Sequence, residues 1–372
     1  MKRLLKVFIF AVLLCFVISP QALCVESNID EYSEEFDFQS VFDSLSNETV
    51  AILEEIGITE ISYESVFAIE PQRIFDSLFN IITNAVENPL KFTVVAIGIL
   101  MLTEVFASMA GNSEGISLIG GGVLSLALTV PVANLTSNAF SVLEALLVFT
   151  TSFAGVFCAI VSSSGNLTMG ISYASLTVFS NTVFSSALVN FCQPVITAMC
   201  SVGFLSCFDI YKFTERFSSI IKKIYVFLLS FIGTVFSGLV TLKGVLSEGV
   251  DSISSRSIRF VIGQSLPVVG GAVSETYSTL ISSLSLIKNT VGAFGIITVV
   301  IFVLPTLLEV LMWILSLEIT LIASQSFGAD SVSGVIGVLK DALVLLVATT
   351  VILTTIFIVS VGVCIAIKGG AV

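Results

Sequence analysis

Between Lys223 and Lys243 the chain runs from Ile224 to Leu242 without one charged residue. Nineteen residues of helix rise about 28 Å, close to the hydrocarbon thickness of a bilayer. Further stretches read the same way: Lys91–Ala110, Ile116–Leu135, Ala139–Val161, Ile171–Phe191, Pro194–Phe208 and Ala342–Ile367. Val291–Ser324 is longer and carries Pro305, so it reads as one kinked span or two short ones. Apolar residues make up 55% of the 372 and charged residues 11%, where a soluble domain carries about 25% charge. The expected fold class is all-α: a polytopic membrane protein with about eight transmembrane helices.

The net charge of -12 is unevenly placed. Val25–Leu90 holds fifteen Asp and Glu with Arg73 as its one base, whereas Lys91–Val372 holds twelve acids and eleven bases. The acidity therefore belongs to one short segment, and no basic face for nucleic acid exists. The chain divides into three regions. Residues 1–24 read as a signal peptide: Lys2, Arg3 and Lys6, an apolar core Val7–Ile18, then Pro20 and Ala22-Leu23-Cys24. An uncleaved anchor is the alternative. Residues 25–90 read as an acidic extracytoplasmic helical segment, with Phe38, Val41, Phe42 and Leu45 on one helical face. Helices this small bury little on their own, so they are expected to pack on the membrane body or on a partner. Residues 91–372 form the polytopic membrane domain. Lys212, Arg216, Lys222 and Lys223 make its best positive cluster, which places that loop in the cytoplasm.

Several chemistries are absent from the sequence. There is no histidine, which removes Ser-His and Cys-His catalysis and imidazole relays. There is no Walker A sequence, G-x-S-x-G or H-E-x-x-H. Seven cysteines occur without a C-x-x-C, and Cys158, Cys192, Cys200, Cys207 and Cys364 all fall in apolar segments, where they read as small packing residues. No enzyme, cofactor or metal site is expected.

Glu104, within Leu102-Thr103-Glu104-Val105-Phe106, is the most informative ionisable residue. A carboxylate inside a span costs about 2.5–3.5 kcal/mol on insertion scales, so it needs a polar neighbour or water. It reads either as part of a wet or proton-linked path or as a hydrogen-bonded packing residue. Glu144, Glu309 and Glu318 pose the same question more weakly. Glu309 and Glu318 are nine residues apart, on opposite faces of a straight helix.

The stretch Ile262–Gly295 is too polar for a lipid-facing span and too apolar for a soluble loop. Pro267, Gly270 and Gly271 predict a bend. From Val273 to Leu286 the chain reads as a helix with a serine and threonine face, and Glu275 and Lys288 place charge at its two ends. Irregular backbone at membrane depth survives only where protein buries it or it lines a cavity. The stretch is therefore expected to be re-entrant or pore-facing, or else an amphipathic surface helix.

Pro267-Val268-Val269-Gly270-Gly271 and the run Leu286-Ile287-Lys288-Asn289-Thr290-Val291-Gly292, with Arg259 and Pro305 around them, resemble the stage III sporulation protein AE family. The order of leader, acidic segment and polytopic body fits as well. The resemblance implies an integral component of the channel complex that joins mother cell and forespore in endospore formers. It implies partners too: a separate cytoplasmic ATPase and ring-forming membrane proteins, with the chain in the mother-cell membrane around the forespore. The residues by themselves leave open a self-sufficient secondary transporter using Glu104 and the Pro267–Gly271 break, and a passive assembly scaffold.

Overall fold

A computed structural model describes residues 38–366, apart from 63–64, 67–68, 111–112, 207–212 and 266–269. The signal-peptide expectation and Pro267 lie outside the described residues. Among those residues the chain is helical, with no strand. Two short helices, α1 (Phe38–Asp43) and α2 (Asn47–Glu55), precede α3 (Pro71–Ala110) and α4 (Ser113–Ser163). Then come α5 (Leu167–Ala187), α6 (Gln193–Leu205), α7 (Phe213–Ser265), α8 (Gly270–Phe327) and α9 (Asp330–Ala366). Among the described residues, five helices hold stretches long and apolar enough to cross a membrane: Gln72–Met109, Leu118–Ser163, Arg216–Lys243, Thr279–Phe327 and Val332–Ala366.

The helices are fewer and longer than the sequence suggests. Ile116–Leu135 and Ala139–Val161, expected as two spans, form the single helix α4. Thr136, Ser137 and Asn138 lie between them, and none of these breaks a helix. Thr136 turns its hydroxyl onto the Val132 carbonyl, 2.8 Å away. The expected pair Ile171–Phe191 and Pro194–Phe208 is also continuous. A π turn, Leu188–Cys192, joins α5 to α6 at the point where Pro194 withdraws its N–H from the ladder. The polar link expected over Gln325–Lys340 shrinks to Gly328 and Ala329, because Asp330–Lys340 is already helix.

Tight turns set the direction of each rod. At Gly328, φ is +79°, and Ala329 N donates to Ser324 O at 2.9 Å. Gly165, at φ +84°, ends α4 in the same way, with Asn166 N donating to Val161 O. Both are left-handed C-caps that a side chain would strain. The rods then alternate. The Thr103 side chain meets Gly120 across α3–α4, and Asn181 Nδ2 donates to Thr150 Oγ1 at 3.0 Å across α4–α5. On the α7–α9 face, Tyr225 and Thr349 share a hydrogen bond of 2.6 Å, and Gly233 abuts Ile352.

The core lies where α4, α8 and α9 meet. Phe149, Phe153 and Phe157 recur every four residues on α4 and form one ring ladder, with centroids 5.8 and 5.3 Å apart. Phe357 of α9 stands edge-on to Phe153 at 5.6 Å, and Phe302 of α8 stacks on Phe149 at 6.4 Å. Such pairs add about 0.5–1.5 kcal/mol each beyond burial. Gly292 and Gly295 allow α8 this close. A Cβ at Gly295 would sit 2.3 Å from the Phe153 ring, and one at Gly292 would sit 2.6 Å from Ile365.

The N-terminal helices share this core. Val41, Leu53, Ile56 and Ile58 are buried in the same cluster as the long helices. Phe42 sits 5.5 Å from Phe294, and Glu55 accepts from Ser77 Oγ at 3.0 Å and Asn80 Nδ2 at 3.1 Å. The acidic segment thus packs along the bundle, as its small size requires. No break occurs at residue 90. Helix α3 runs straight through Pro89, whose carbonyl accepts the hydroxyls of Thr93 and Ser316.

Candidate functional site in the helix bundle

Two polar groupings lie inside the bundle. The first is built around adjacent residues of α9. Lys340 Nζ lies 2.7 Å from Glu318 Oε2 of α8, and Asp341 pairs with Lys222 of α7. One residue step on a helix turns about 100°, so neighbours in sequence reach different partner helices. These pairs bolt α9 to both neighbours at one level. Lys340 and Asp341 are largely covered, whereas Glu318 is 47% exposed, so the pairs keep a path to solvent or headgroups. Sequence reading singled out Glu318 and missed Lys340 and Asp341. The usable signal was a Lys-Asp pair directly before the long apolar run that starts at Ala342.

The second grouping surrounds Lys288. Its side chain is 2% exposed, which is exceptional for lysine. Cys364 of α9 faces it, and Cys158 of α4 and Tyr173 of α5 face Cys364. Gly292, one turn further along α8, closes the same face against Ile365 and Phe157. Two of the residues singled out in the sequence, Lys288 and Gly292, therefore come together. Between them Thr290 is 1% exposed, and Asn289 leaves its Oδ1 buried without a hydrogen-bond partner. The run Leu286–Gly292 is thus interior, not a headgroup-level surface.

The remaining sequence candidates scatter. Glu104 is half-buried on α3, two turns from the helix end, beside the Thr103–Gly120 contact. Leu102, Val105 and Phe106 around it are exposed. It belongs to neither polar grouping. Glu144 is exposed on α4, and Glu309 is half-buried on α8, with the Glu48 carboxylate of α2 nearby. Gly270 and Gly271 open α8 as ordinary helical residues, and Glu275 lies on the same helix. The bend expected at Gly270 and Gly271 is not there: the chain is continuous helix from Gly270 to Phe327. No group of three or more Cys, Asp or Glu that could hold a metal occurs among the described residues.

Long apolar helices in alternating directions, around a core holding a buried lysine and paired charges, define a polytopic helical membrane protein. The chain belongs to the stage III sporulation protein AE family, whose profile matches residues 57–368. It is 20% identical over 297 residues to the stage III sporulation protein AE of Bacillus subtilis (strain 168), covering 78% of this chain and 74% of that one. No solved structure matches the chain. The family ties the protein to sporulation.

Proposed function

We propose that the protein is an integral membrane subunit of the channel complex joining mother cell and forespore, and that it acts there without chemistry of its own. The observation that carries this reading is the family match over residues 57–368, which spans every long apolar helix. The lack of a nucleotide-binding motif in the sequence fits an energy source in a separate cytoplasmic ATPase. The other expected partners are ring-forming proteins of the same apparatus.

The continuity of α4 and of the α5–α6 rod supports a six-pass topology. Merging the two expected pairs of spans turns eight crossings into six: α3, α4, the α5–α6 rod, α7, α8 and α9. An extracytoplasmic N-terminal segment then places the turn before α7 in the cytoplasm, in keeping with its basic residues. The end of α9 then lies on the same side as the N-terminal segment.

Two measurements test this. Pull-down of the tagged protein from sporulating cells should recover the ATPase and the ring proteins, and their absence from a crosslinked sample refutes complex membership. Single cysteines at Ser46 and Ser219, in a cysteine-free background, should label from opposite sides with an impermeant maleimide. Labelling of both in intact cells overturns the six-pass topology.

A further inference from the structure

Helices α4 and α5 bury different kinds of surface. The inner face of α4 is a ladder of rings, whereas α5 buries Tyr173, Thr177 and Ser180, with Asn181 half-buried beside them. The apolar Ile171, Val178 and Phe179 of α5 are exposed instead. Where the polar face of α5 meets α7 and α9, packing leaves two small spaces. The upper one is lined by Ser172, Tyr173, Lys243, Ser360 and Cys364, among others. The lower one touches Thr150, Thr177, Ser180, Asn181 and Ser360, with apolar side chains such as Phe236 and Phe357 as its other walls. Ser360 borders both.

Each space admits about one water molecule. Apolar cavities stay dry, whereas a buried water is held by about two to four polar partners. The upper space offers the Lys243 ammonium and the hydroxyls of Ser172, Tyr173 and Ser360. The lower one offers four hydroxyls and the Asn181 amide. Several of these groups already have a protein partner. Ser360 Oγ donates to Ile356 O at 2.8 Å, Tyr173 bonds Thr177 one turn on, and Asn181 Nδ2 donates to Thr150 Oγ1 at 3.0 Å. A hydroxyl that donates still accepts, so Ser360 can take a hydrogen bond from water in either space.

The polar line reaches the end of the membrane stretch. Lys243 is exposed and closes the uncharged run of α7. Beyond it the buried Asp251 carboxylate accepts from Thr168 N and Met169 N, each at 2.9 Å, at the start of α5. At the other end the Tyr225–Thr349 hydrogen bond joins α7 to α9, one turn of α9 before Leu353 of the lower space. Ser172 and Asn181 are nine residues apart, about 13 Å of helix against a hydrocarbon core of about 30 Å.

We infer that the seam between α5, α7 and α9 holds ordered water, entering beside Lys243 and ending at Asn181. It is a wet inlet through a little under half of the bilayer, with the Ser360 hydroxyl as the bridge between its two parts. Helix α5 is then the wall of a solvent path, and its buried hydroxyls serve water as well as packing.

The test is hydroxyl-radical footprinting of the full chain in detergent, with radicals made from water by millisecond X-ray pulses and oxidised residues read by mass spectrometry. Such radicals attack side chains beside bound water even where bulk solvent does not reach. Two matched pairs of buried residues decide the outcome. Tyr173 and Phe357 line the seam, whereas Tyr225 and Phe153 line neither space. Tyr173 and Phe357 should be oxidised and Tyr225 and Phe153 spared. Ser360→Leu puts an apolar side chain where the two spaces meet and should abolish oxidation of Tyr173 and Phe357. Thr177→Val, alike in shape, should reduce it at Phe357 and serves where the leucine lowers the melting temperature. Equal oxidation within each pair overturns the proposal. So does oxidation of Tyr173 and Phe357 that neither substitution lowers, since the radicals would then come from bulk solvent.

Discussion

Helices α8 and α9 differ from α3 and α7 in what surrounds them. In the most apolar stretch of α9, 78% of residues are buried, and in α8 67%; in α3 and α7 the figure is 22%. All four are apolar enough to cross a bilayer, so hydropathy does not distinguish them. The difference lies in what touches the apolar surface. Side chains of α4, α7 and α8 cover α9, whereas Val94, Met101 and Val105 of α3 and Phe227 and Phe231 of α7 face outward. A membrane helix gains little from hydrophobic burial against its neighbours, because lipid is equally apolar. The inner pair is held instead by close packing at Gly292 and Gly295, by ring contacts and by ion pairs.

The largest effect should come from enlarging the inner contact. Gly292→Leu drives a side chain into Ile365 and Phe157. It should cost at least the roughly 1–3 kcal/mol of core overpacking, seen as a lower melting temperature in detergent and loss of the protein from membranes. Gly98→Leu on α3, where nothing lies within 4 Å of an added Cβ, should lower neither. Similar loss from the two substitutions would erase the contrast.

Next comes Lys288→Met. A lysine 2% exposed carries a desolvation cost that an apolar residue of similar length does not. The variant should accumulate normally and melt no lower than the parent, while spore yield falls. A fall in both stability and spore yield would instead make Lys288 a packing residue.

A smaller effect belongs to the pair that joins α8 and α9. A double-mutant cycle on Glu318→Gln and Lys340→Met should give a coupling of about 1 kcal/mol, since Glu318 is half exposed. Glu144→Gln, on an exposed position of α4, should change nothing measurable. Smallest is Gly98→Ala, which should stabilise by up to about 1 kcal/mol through helix propensity alone.

Much of the bundle was legible in the sequence. Apolar runs located part of each long helix, and the ends of α7's run at Lys223 and Lys243 needed no structure. The continuity of α4 was not legible, because Thr136, Ser137 and Asn138 look like a turn until Thr136 is seen bonded to its own helix. The join of α5 and α6 was hidden by Pro194, which reads as a break and is absorbed by a π turn. For the candidate site, Lys288 and Gly292 stand in one sequence motif, Leu286–Gly292, and α8 buries both. Their partners Cys158, Tyr173 and Cys364 come from three other helices, and no local pattern announces such contacts. Glu104 attracted weight as a carboxylate inside an apolar run; α3 ends at Ala110, where the sequence put the end of the span, and holds Glu104 half-buried beside the Thr103–Gly120 contact.

The most direct test of the inner and outer helices is spin-label accessibility in liposomes. Labels at Leu102 and Val105 of α3, Phe231 and Val235 of α7, and Leu343 and Leu346 of α9 would be compared for collision with oxygen and with a water-soluble nickel chelate. The α3 and α7 positions should collide readily with oxygen, and the α9 positions should be shielded from both. Oxygen accessibility at Leu343 and Leu346 equal to that at Phe231 would contradict the account, since α9 would then face lipid and could not be the centre of the bundle.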